Sequence, residues 1–305
     1  MQRAKVVAPR QKIKEPIQDR IFNFINIVIM LAVLLVILYP LYFVVIASFS
    51  EPTLVNSGQV LFYPKGTTFE GYQRMFQNDE LRLGYGNSLI YMVFGTLFSL
   101  IMTIPAAYAL SYRHTMGKRF LTFIFTFTMM FSGGMIPTYL VVRDLGWLNT
   151  RWILMINGGF TAYNLVVSRT FMDNIPKELL EAAEIDGASV CQCFVRVVLP
   201  LSKAIIAVMA LFYGIARWND YFSALIYVTE QDYVPLQMVL RRILIQSSTA
   251  AGAVNSDPEG QAVLARISEL MKYCVIIAAT LPAMLIYPFV QKHFVKGVML
   301  GAVKG

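Results

Sequence analysis

Polar and aromatic residues interrupt an otherwise apolar run at Arg217, Trp218, Asn219, Asp220 and Tyr221. A charge at the centre of a membrane helix costs about 2.5–3.5 kcal/mol, so charged residues in such a run are functional candidates by default. Arg217 and Asp220 stand about one helical turn apart, which predicts that they pair on one helix face. Aromatic faces stack on the C–H surfaces of sugars, and amides and carboxylates bond to their hydroxyls. The chemistry of this cluster therefore suits a sugar.

The same residues also allow a structural interpretation, in which an ion pair locks helices together and the aromatic rings lie at a membrane–water interface. Both interpretations stay open at this point. Asn157, Tyr163 and Asn164 in a neighbouring apolar run are further candidates, although amides in membrane helices often join helices instead.

Familiar catalytic and metal-binding motifs are missing from the sequence. It contains no G-x-x-x-x-G-K-[ST] phosphate loop, no H-E-x-x-H and no G-x-S-x-G, so we expect no catalytic residue and no ATP hydrolysis by this chain. Cys191 and Cys193 have no further Cys/His cluster, so we predict no metal site.

A second charged segment, residues 174–200, reads as two short helices joined by a turn. Pro176 suits the first helical position, because its fixed φ is helical and it lacks only an N–H group that would be unpaired there. Gly187 supplies the left-handed conformation that ends a helix. The second helix should end at Pro200, which redirects the chain into the next apolar run.

The composition defines the elements that must position these residues. Of 305 residues, 57% are hydrophobic and 14% are charged, whereas soluble domains carry about 25% charge. These values exclude an ordinary soluble enzyme, a disordered chain and a nucleic-acid binder. Three cysteines exclude a disulfide-stapled scaffold. The chain is therefore predicted to be an all-α integral membrane protein.

Apolar stretches long enough to cross a membrane, about 20 residues each, number six. The first is too long for a cleaved signal peptide. We predict an N-terminal tail at 1–20, a membrane domain at 21–293 with outer loops at 51–86 and 230–269, and a C-terminal tail at 294–305. The six predicted spans are 21–50, 83–112, 120–142, 152–172, 204–229 and 273–291.

Basic residues set the predicted orientation of these spans. With the N-terminus inside, the inner segments hold 16 Lys and Arg residues and the outer segments hold 9. This bias places both tails in the cytoplasm. The outer loops carry two short amphipathic helices, which we predict at 69–76 and 236–245.

The segment 174–200 resembles the EAA loop of permease subunits of bacterial ABC importers, through Glu181-Ala182-Ala183, Gly187 and Val198-Leu199-Pro200. The resemblance covers almost the whole chain. It is closest to the carbohydrate group related to the maltose permease, and within it to the branch associated with complex oligosaccharides and polysaccharides. Three further stretches resemble that branch: Phe131–Tyr139, Trp218–Tyr221 and Phe294–Gly305.

This resemblance implies the type I ABC importer permease fold, with the loop docked on a cytoplasmic ATPase. Replacing Gly187 by Pro or Glu181 by Lys should then leave membrane insertion intact and uncouple transport. The resemblance also implies that the tail around Lys304 approaches the ATPase. The implied coupling residues are Glu181, Ala182, Ala183, Asp186, Gly187, Leu199 and Pro200, and the substrate-pathway residues are Asn164, Arg217, Trp218, Asn219, Asp220 and Tyr221.

The implied partners are a second, homologous permease in a heterodimer, an ATPase dimer that binds ATP and Mg²⁺, and an extracytoplasmic solute-binding protein. The implied substrate is an oligosaccharide, and the chain would lie among the lipids of a bacterial inner membrane, with no cofactor of its own. Residues 230–269 are expected to contact the binding protein, which deletion of 247–260 would test.

Alternatives remain at this stage. The EAA loop alone would also fit an importer for a peptide, a lipid or another solute, and the loop could be only a helical cytoplasmic connection. A membrane glycosyltransferase with acids at Asp220, Glu181 and Asp186 is a rival from another class. Co-purification with an ATP-hydrolysing subunit would favour the importer, whereas a lone chain active on a lipid-linked sugar would favour the enzyme.

Overall fold

The computed structural model describes residues 16–250, 266–267, 269–285 and 288, with the side chains of 246–250 left out. All regular secondary structure in these residues is helical. The chain divides into two units, residues 1–67 and 68–305. The stretch 251–265, most of the predicted N-terminal tail, the end of the sixth predicted span and the tail 294–305 lie outside the described residues.

The first unit consists of a long helix, α1 (Ile17–Ser48), and a short one, α2 (Pro52–Asn56). At a rise of about 1.5 Å per residue, α1 is longer than the roughly 30 Å of a bilayer core. The chain then folds back on the end of α1, where the Lys65 N–H donates to Ser50 Oγ at 3.2 Å and Tyr39 OH donates to the Leu61 carbonyl at 3.4 Å.

The second unit is an array of helices around one long central helix, α4. Its elements are α3 (Glu70–Gln77), α4 (Asp79–Ser111), α5 (Lys118–Met130), α6 (Met135–Asp144), α7 (Arg151–Ile156), α8 (Ala162–Asp173), α9 (Lys177–Ile185), α10 (Val190–Cys193), a π-helical turn (Phe194–Val198), α11 (Leu199–Leu201), α12 (Lys203–Trp218), α13 (Phe222–Tyr227), a 3₁₀ turn (Gln231–Tyr233), α14 (Leu236–Ala250) and the helical residues 269–285, here α15. The two outer-loop helices predicted at 69–76 and 236–245 are confirmed as α3 and α14.

Helix α4 packs against α7, α8, α12 and α14. Asn78 caps its first turn, since its side chain accepts the Leu81 N–H at 3.0 Å. Small residues allow close approach: a Cβ on Gly95 would lie 3.0 Å from Arg217 Nε. Farther along, Thr103 Oγ1 and Tyr213 OH share a buried hydrogen bond of 2.7 Å between α4 and α12. Helix α4 is thus held along its length by both packing and polar contacts.

Within the described residues, two helices, α1 and α4, are long and apolar enough to cross a membrane, and the number rises to four if two bent pairs each count as one span. The count of six spans stays a prediction. One bent pair, α5 and α6, turns by 113° at the Ser132-Gly133-Gly134 break, where Gly134 has φ +85°.

Two other predicted spans are also divided. The fourth is split into α7 and α8 by residues 157–161, where Gly158 has φ +66°. The fifth is split into α12 and α13 between Trp218 and Phe222. Left-handed glycines and short breaks interrupt helices that hydropathy alone makes continuous.

Candidate functional site

The first helix of the 174–200 segment, α9, ends in a complete glycine cap. Gly187 has φ +82°, its N–H donates to the Glu184 carbonyl at 3.0 Å, and the Ala188 N–H donates to the Ala183 carbonyl at 2.9 Å. These two bonds form a Schellman motif, as predicted from Gly187. At the other end the prediction is wrong by one residue, because Pro176 is the N-cap and the helix begins at Lys177.

The second helix of the segment begins with a capping box, in which Ser189 Oγ accepts the Gln192 N–H and the Gln192 side chain accepts the Ser189 N–H. This helix, predicted to end at Pro200, ends one residue later at Leu201, and the predicted redirection of the chain into the next apolar run is confirmed. A π-helical turn precedes Pro200, helical structure continues to Leu201, and the chain bends by 78° at Ser202 before α12. Pro200 lies directly after the π-helical turn, where its missing N–H interrupts the regular pattern of helical hydrogen bonds.

Both short helices are attached to the end of α4. The rings of Tyr108 and Phe194 stack with centroids 5.1 Å apart. Tyr112 OH donates to Glu184 Oε1 at 3.0 Å, and Arg113 Nη1 donates to Glu181 Oε1 at 3.1 Å. Tyr108 OH also donates to the Val190 carbonyl at 3.4 Å, so one aromatic stack and three polar contacts connect the α9–α11 segment to the end of the central helix.

One face of α9 and its cap is open to solvent. Ala182, Asp186 and Gly187 are exposed, and Ile185 is 86% exposed. A large exposed apolar side chain beside small residues is typical of a protein-interaction site. Of the other predicted coupling residues, Glu181 is exposed but paired with Arg113, Pro200 is exposed, and Ala183 and Leu199 are half-buried.

Arg217 in the polar cluster is buried between three helices. It is 7% exposed, and its Nη1 donates to the Leu154 carbonyl at 3.2 Å and to the Asn157 carbonyl. These carbonyls lie at the C-terminal end of α7, where helices leave carbonyl groups unpaired and attract positive charge. Arg217 thus caps α7 from α12.

Trp218 is also buried, at 2% exposure. Its Nε1 donates to the Ala279 carbonyl at 2.8 Å, and its ring meets the edge of Tyr85 at a centroid distance of 5.5 Å. It lines a groove of about 350 Å³ between α4 and α12 whose other lining side chains are apolar except Thr96. This groove offers few partners for sugar hydroxyls.

The predicted pairing of Arg217 with Asp220 is wrong. Helix α12 ends at Trp218, with Asn219 as its C-cap, so Asp220 lies outside the helix. Asp220 Oδ1 instead accepts the Ser223 N–H at 3.0 Å. Although the structure describes both residues, no ion pair joins them. The prediction from sequence spacing assumed that the helix continues through Asp220, but it ends at Trp218.

The remaining pathway candidates are divided in their exposure. Asn219 and Tyr221 are exposed at the end of α12, whereas Asn164 is buried in the first turn of α8, its N–H donating to Thr161 Oγ1. Asn157 Nδ2 donates to Ser223 Oγ at 3.3 Å and so connects α7 to α13. Asn219, Tyr221 and the 56% exposed Tyr163 are the candidates placed to meet a solute, and all pathway roles stay predictions.

Sequence reasoning missed one neighbour of this cluster. The Arg241 guanidinium, on α14, lies over the Tyr221 ring at 4.8 Å from its centroid. The two residues are 20 positions apart in different elements, and no sequence periodicity pairs them. A basic residue in a loop rich in basic residues gave no distinguishing signal.

Replacing Asn219 by alanine should lower uptake about 3- to 10-fold, as expected for one lost hydrogen bond of about 0.5–1.5 kcal/mol to a solute. Among the described residues, Asn219 Nδ2 bonds only to the Ile215 carbonyl, at 3.0 Å, so protein level should stay within error of wild type. Initial uptake rates and immunoblots of membranes check both. A fall in protein level that matches the fall in uptake would instead support a structural role.

The helical membrane architecture, the capped EAA-type loop with one open face and the absence of a phosphate loop from the sequence define a class of protein. It is the class of membrane permease subunits of ABC importers.

The comparison with family models makes this specific. The model for the binding-protein-dependent transport system inner membrane component matches residues 81–300, and the chain belongs to that family. It is 40% identical to protein LplC of Bacillus subtilis over 94% of this chain and 96% of that protein. It is 37% identical to the polygalacturonan/rhamnogalacturonan transport system permease protein YtcP of the same organism, over 94% of this chain and all of that one.

A solved structure gives a similar result. The chain aligns with a TM-score of 0.82 and 33% identity to a subunit in the crystal structure of a bacterial ABC transporter involved in the import of the acidic polysaccharide alginate. The alignment covers 92% of this chain and 99% of that one. The expected type I importer permease fold is confirmed.

Proposed function

We propose that this chain is one of two non-identical permease subunits of an ATP-driven importer that brings oligosaccharides into a bacterial cell. The observation that carries the proposal is the capped helix α9, whose face around Ile185 and Gly187 is exposed to solvent. A separate ATPase is the partner that this face fits. The names of YtcP and of the alginate transporter support a saccharide as the solute.

In the proposed machine, ATP and Mg²⁺ bind to the cytoplasmic ATPase dimer, since this sequence has no phosphate loop. Closure of that dimer is a rigid-body switch. It would displace α9, and the contacts Tyr112–Glu184 and Arg113–Glu181 would pass the displacement to α4. An extracytoplasmic binding protein delivers the solute, in keeping with the family's description.

The proposed topology has six spans and both tails in the cytoplasm of a multi-pass inner-membrane protein. Its support is the distribution of basic residues, 16 inside and 9 outside. In this orientation the loop 174–200 faces the ATPase, and α3 and α14 lie on the outer side.

Reconstitution of the whole complex tests the proposal. We expect proteoliposomes that hold this chain, its partner permease, the ATPase and the binding protein to accumulate a labelled oligosaccharide only with ATP inside. Neutral galacto-trisaccharide and acidic galacturonate trisaccharide are both offered, and an ATPase that cannot hydrolyse ATP is the control. ATP-independent turnover of a lipid-linked sugar by this chain alone would contradict the proposal and favour the enzyme alternative.

A further inference from the structure

The arginines of the predicted outer segments are of two kinds. Five of the seven form an ion pair with a nearby carboxylate, and the other two lie over tyrosine rings. The paired arginines are Arg74, Arg82, Arg143, Arg242 and Arg266, and those on rings are Arg151 and Arg241.

Each paired arginine already contacts a carboxylate within the chain. Arg74 and Arg266 share Glu70 at 2.8 and 3.3 Å, and the hydrogen bond from Arg74 holds the pKa of the Glu70 carboxyl below its ordinary value. Arg242 donates to Glu80 at 3.1 Å. These arginines are therefore poorly placed to bind a further anion.

Arg241 differs from its neighbour Arg242 in its partner. Its guanidinium lies 4.8 Å from the centre of the Tyr221 ring, and among the described residues it has no carboxylate oxygen within 4.0 Å. Asp220, the acid next to Tyr221, is committed to the Ser223 N–H. Both Arg241 and Tyr221 are exposed, so the outer edge of the guanidinium is accessible.

The geometry suits one kind of ligand. An aromatic ring contacts the flat face of a guanidinium lying over it. The N–H groups point outward from the edge of the guanidinium, where they can donate two parallel bonds to a carboxylate. Exposed Tyr221 adds a phenol for hydroxyl groups, and exposed Asn219, two residues earlier in the sequence, adds an amide. A carboxylate on a sugar ring combines both requirements.

We propose that Arg241, supported by Tyr221, binds the carboxylate of a uronic acid residue as an acidic oligosaccharide enters the permease. The inference rests on the proposed function and narrows its substrate class to acidic sugars. Tyr221 acts as a positioning residue, because it orients the guanidinium and limits its motion.

Uptake of two matched sugars by the reconstituted complex tests this site. We expect Arg241→Gln to lower the uptake of galacturonate trisaccharide about 10-fold or more, the loss expected for hydrogen bonds to a charged group. Uptake of its methyl ester should change less than twofold. For each sugar, the uptake rate of the variant is divided by that of the wild type, and this ratio removes any preference that the binding protein has between the two sugars.

Two variants serve as controls. Arg242→Gln removes a cation from the adjacent position of α14 and should lower the uptake of both sugars equally or not at all. Arg241→Lys should restore part of the activity, since lysine keeps the charge but cannot form the two-bond contact. An alginate trisaccharide should respond like galacturonate if the site recognises the carboxylate rather than one particular sugar.

Three outcomes overturn the inference. If Arg241→Gln lowers the uptake of the acidic trisaccharide and of its methyl ester equally, Arg241 has a structural role. If the wild-type complex takes up only neutral sugars, acidic sugars are excluded as the substrate class and the proposed function stands. If the wild type takes up only acidic sugars, an equal effect of Arg241→Gln and Arg242→Gln on them would contradict the site. Failure to import any oligosaccharide would instead contradict the proposed function.

Discussion

Replacing Gly187 by proline should lower ATP-driven uptake roughly 100-fold, while the permease remains in the membrane at wild-type level. Gly187 has φ +82° and donates its N–H to Glu184. Proline fixes φ near −65° and has no N–H, a conflict of about 3 kcal/mol. The Schellman cap is lost, and α9 no longer presents Ile185 and its neighbours in one arrangement.

The cause of this loss can be separated from misfolding by a matched variant. In the described part of the chain, no atom of a residue other than its two neighbours lies within 4 Å of a Cβ built at Gly187. An asparagine therefore has space there, and asparagine adopts the left-handed conformation more readily than most residues. Gly187→Asn should keep at least half of the uptake. Uptake by proteoliposomes, ATPase stimulation and co-purification of the ATPase are the measurements, and normal values for all three in Gly187→Pro would disprove the docking assignment.

The structure of the segment 174–200 was largely predictable because its determinants are local. A glycine that caps a helix acts through φ and bonds within six residues, so Gly187 could be identified without knowledge of the fold. The end of the second helix was not predictable in this way. A π-helical turn precedes Pro200, and helical structure extends past the proline to Leu201. Nothing in the residue types indicates that turn.

The polar cluster was predicted as a group but not as an arrangement. Spacing placed Arg217 and Asp220 on one helix face, but the helix ends at Trp218 and each side chain finds a different partner. Arg217 bonds to carbonyls of α7, some 60 residues earlier, whereas Asp220 accepts the N–H of Ser223, only three residues later. A contact across some 60 residues depends on how helices pack, which hydropathy and periodicity do not encode. The same limit hid the stacking of Arg241 on Tyr221.

Replacing Arg217 by methionine should destabilise the permease by about 2–4 kcal/mol. The change leaves the Leu154 and Asn157 carbonyls without their charged donor, and a buried acceptor left unpaired costs about 1–3 kcal/mol. We expect the thermal midpoint of the purified complex to fall by roughly 5–10 °C. Fluorescence of the buried Trp218 next to it follows this transition, and immunoblots follow the membrane level.

Arg217→Lys provides the control for this experiment. A lysine keeps the positive charge at the C-terminal end of α7 and one donor, so it should recover about half of the lost stability. Arg217 Nη2 is buried and has no hydrogen-bond partner in the part of the chain that the structure describes. Arg217→Met with an unchanged midpoint and level but little uptake would therefore assign the side chain to the substrate pathway. A parallel loss of midpoint, level and uptake, with recovery by lysine, would show that Arg217 holds α7 against α12 and that the pathway lies among the exposed groups at Asn219 and Tyr221.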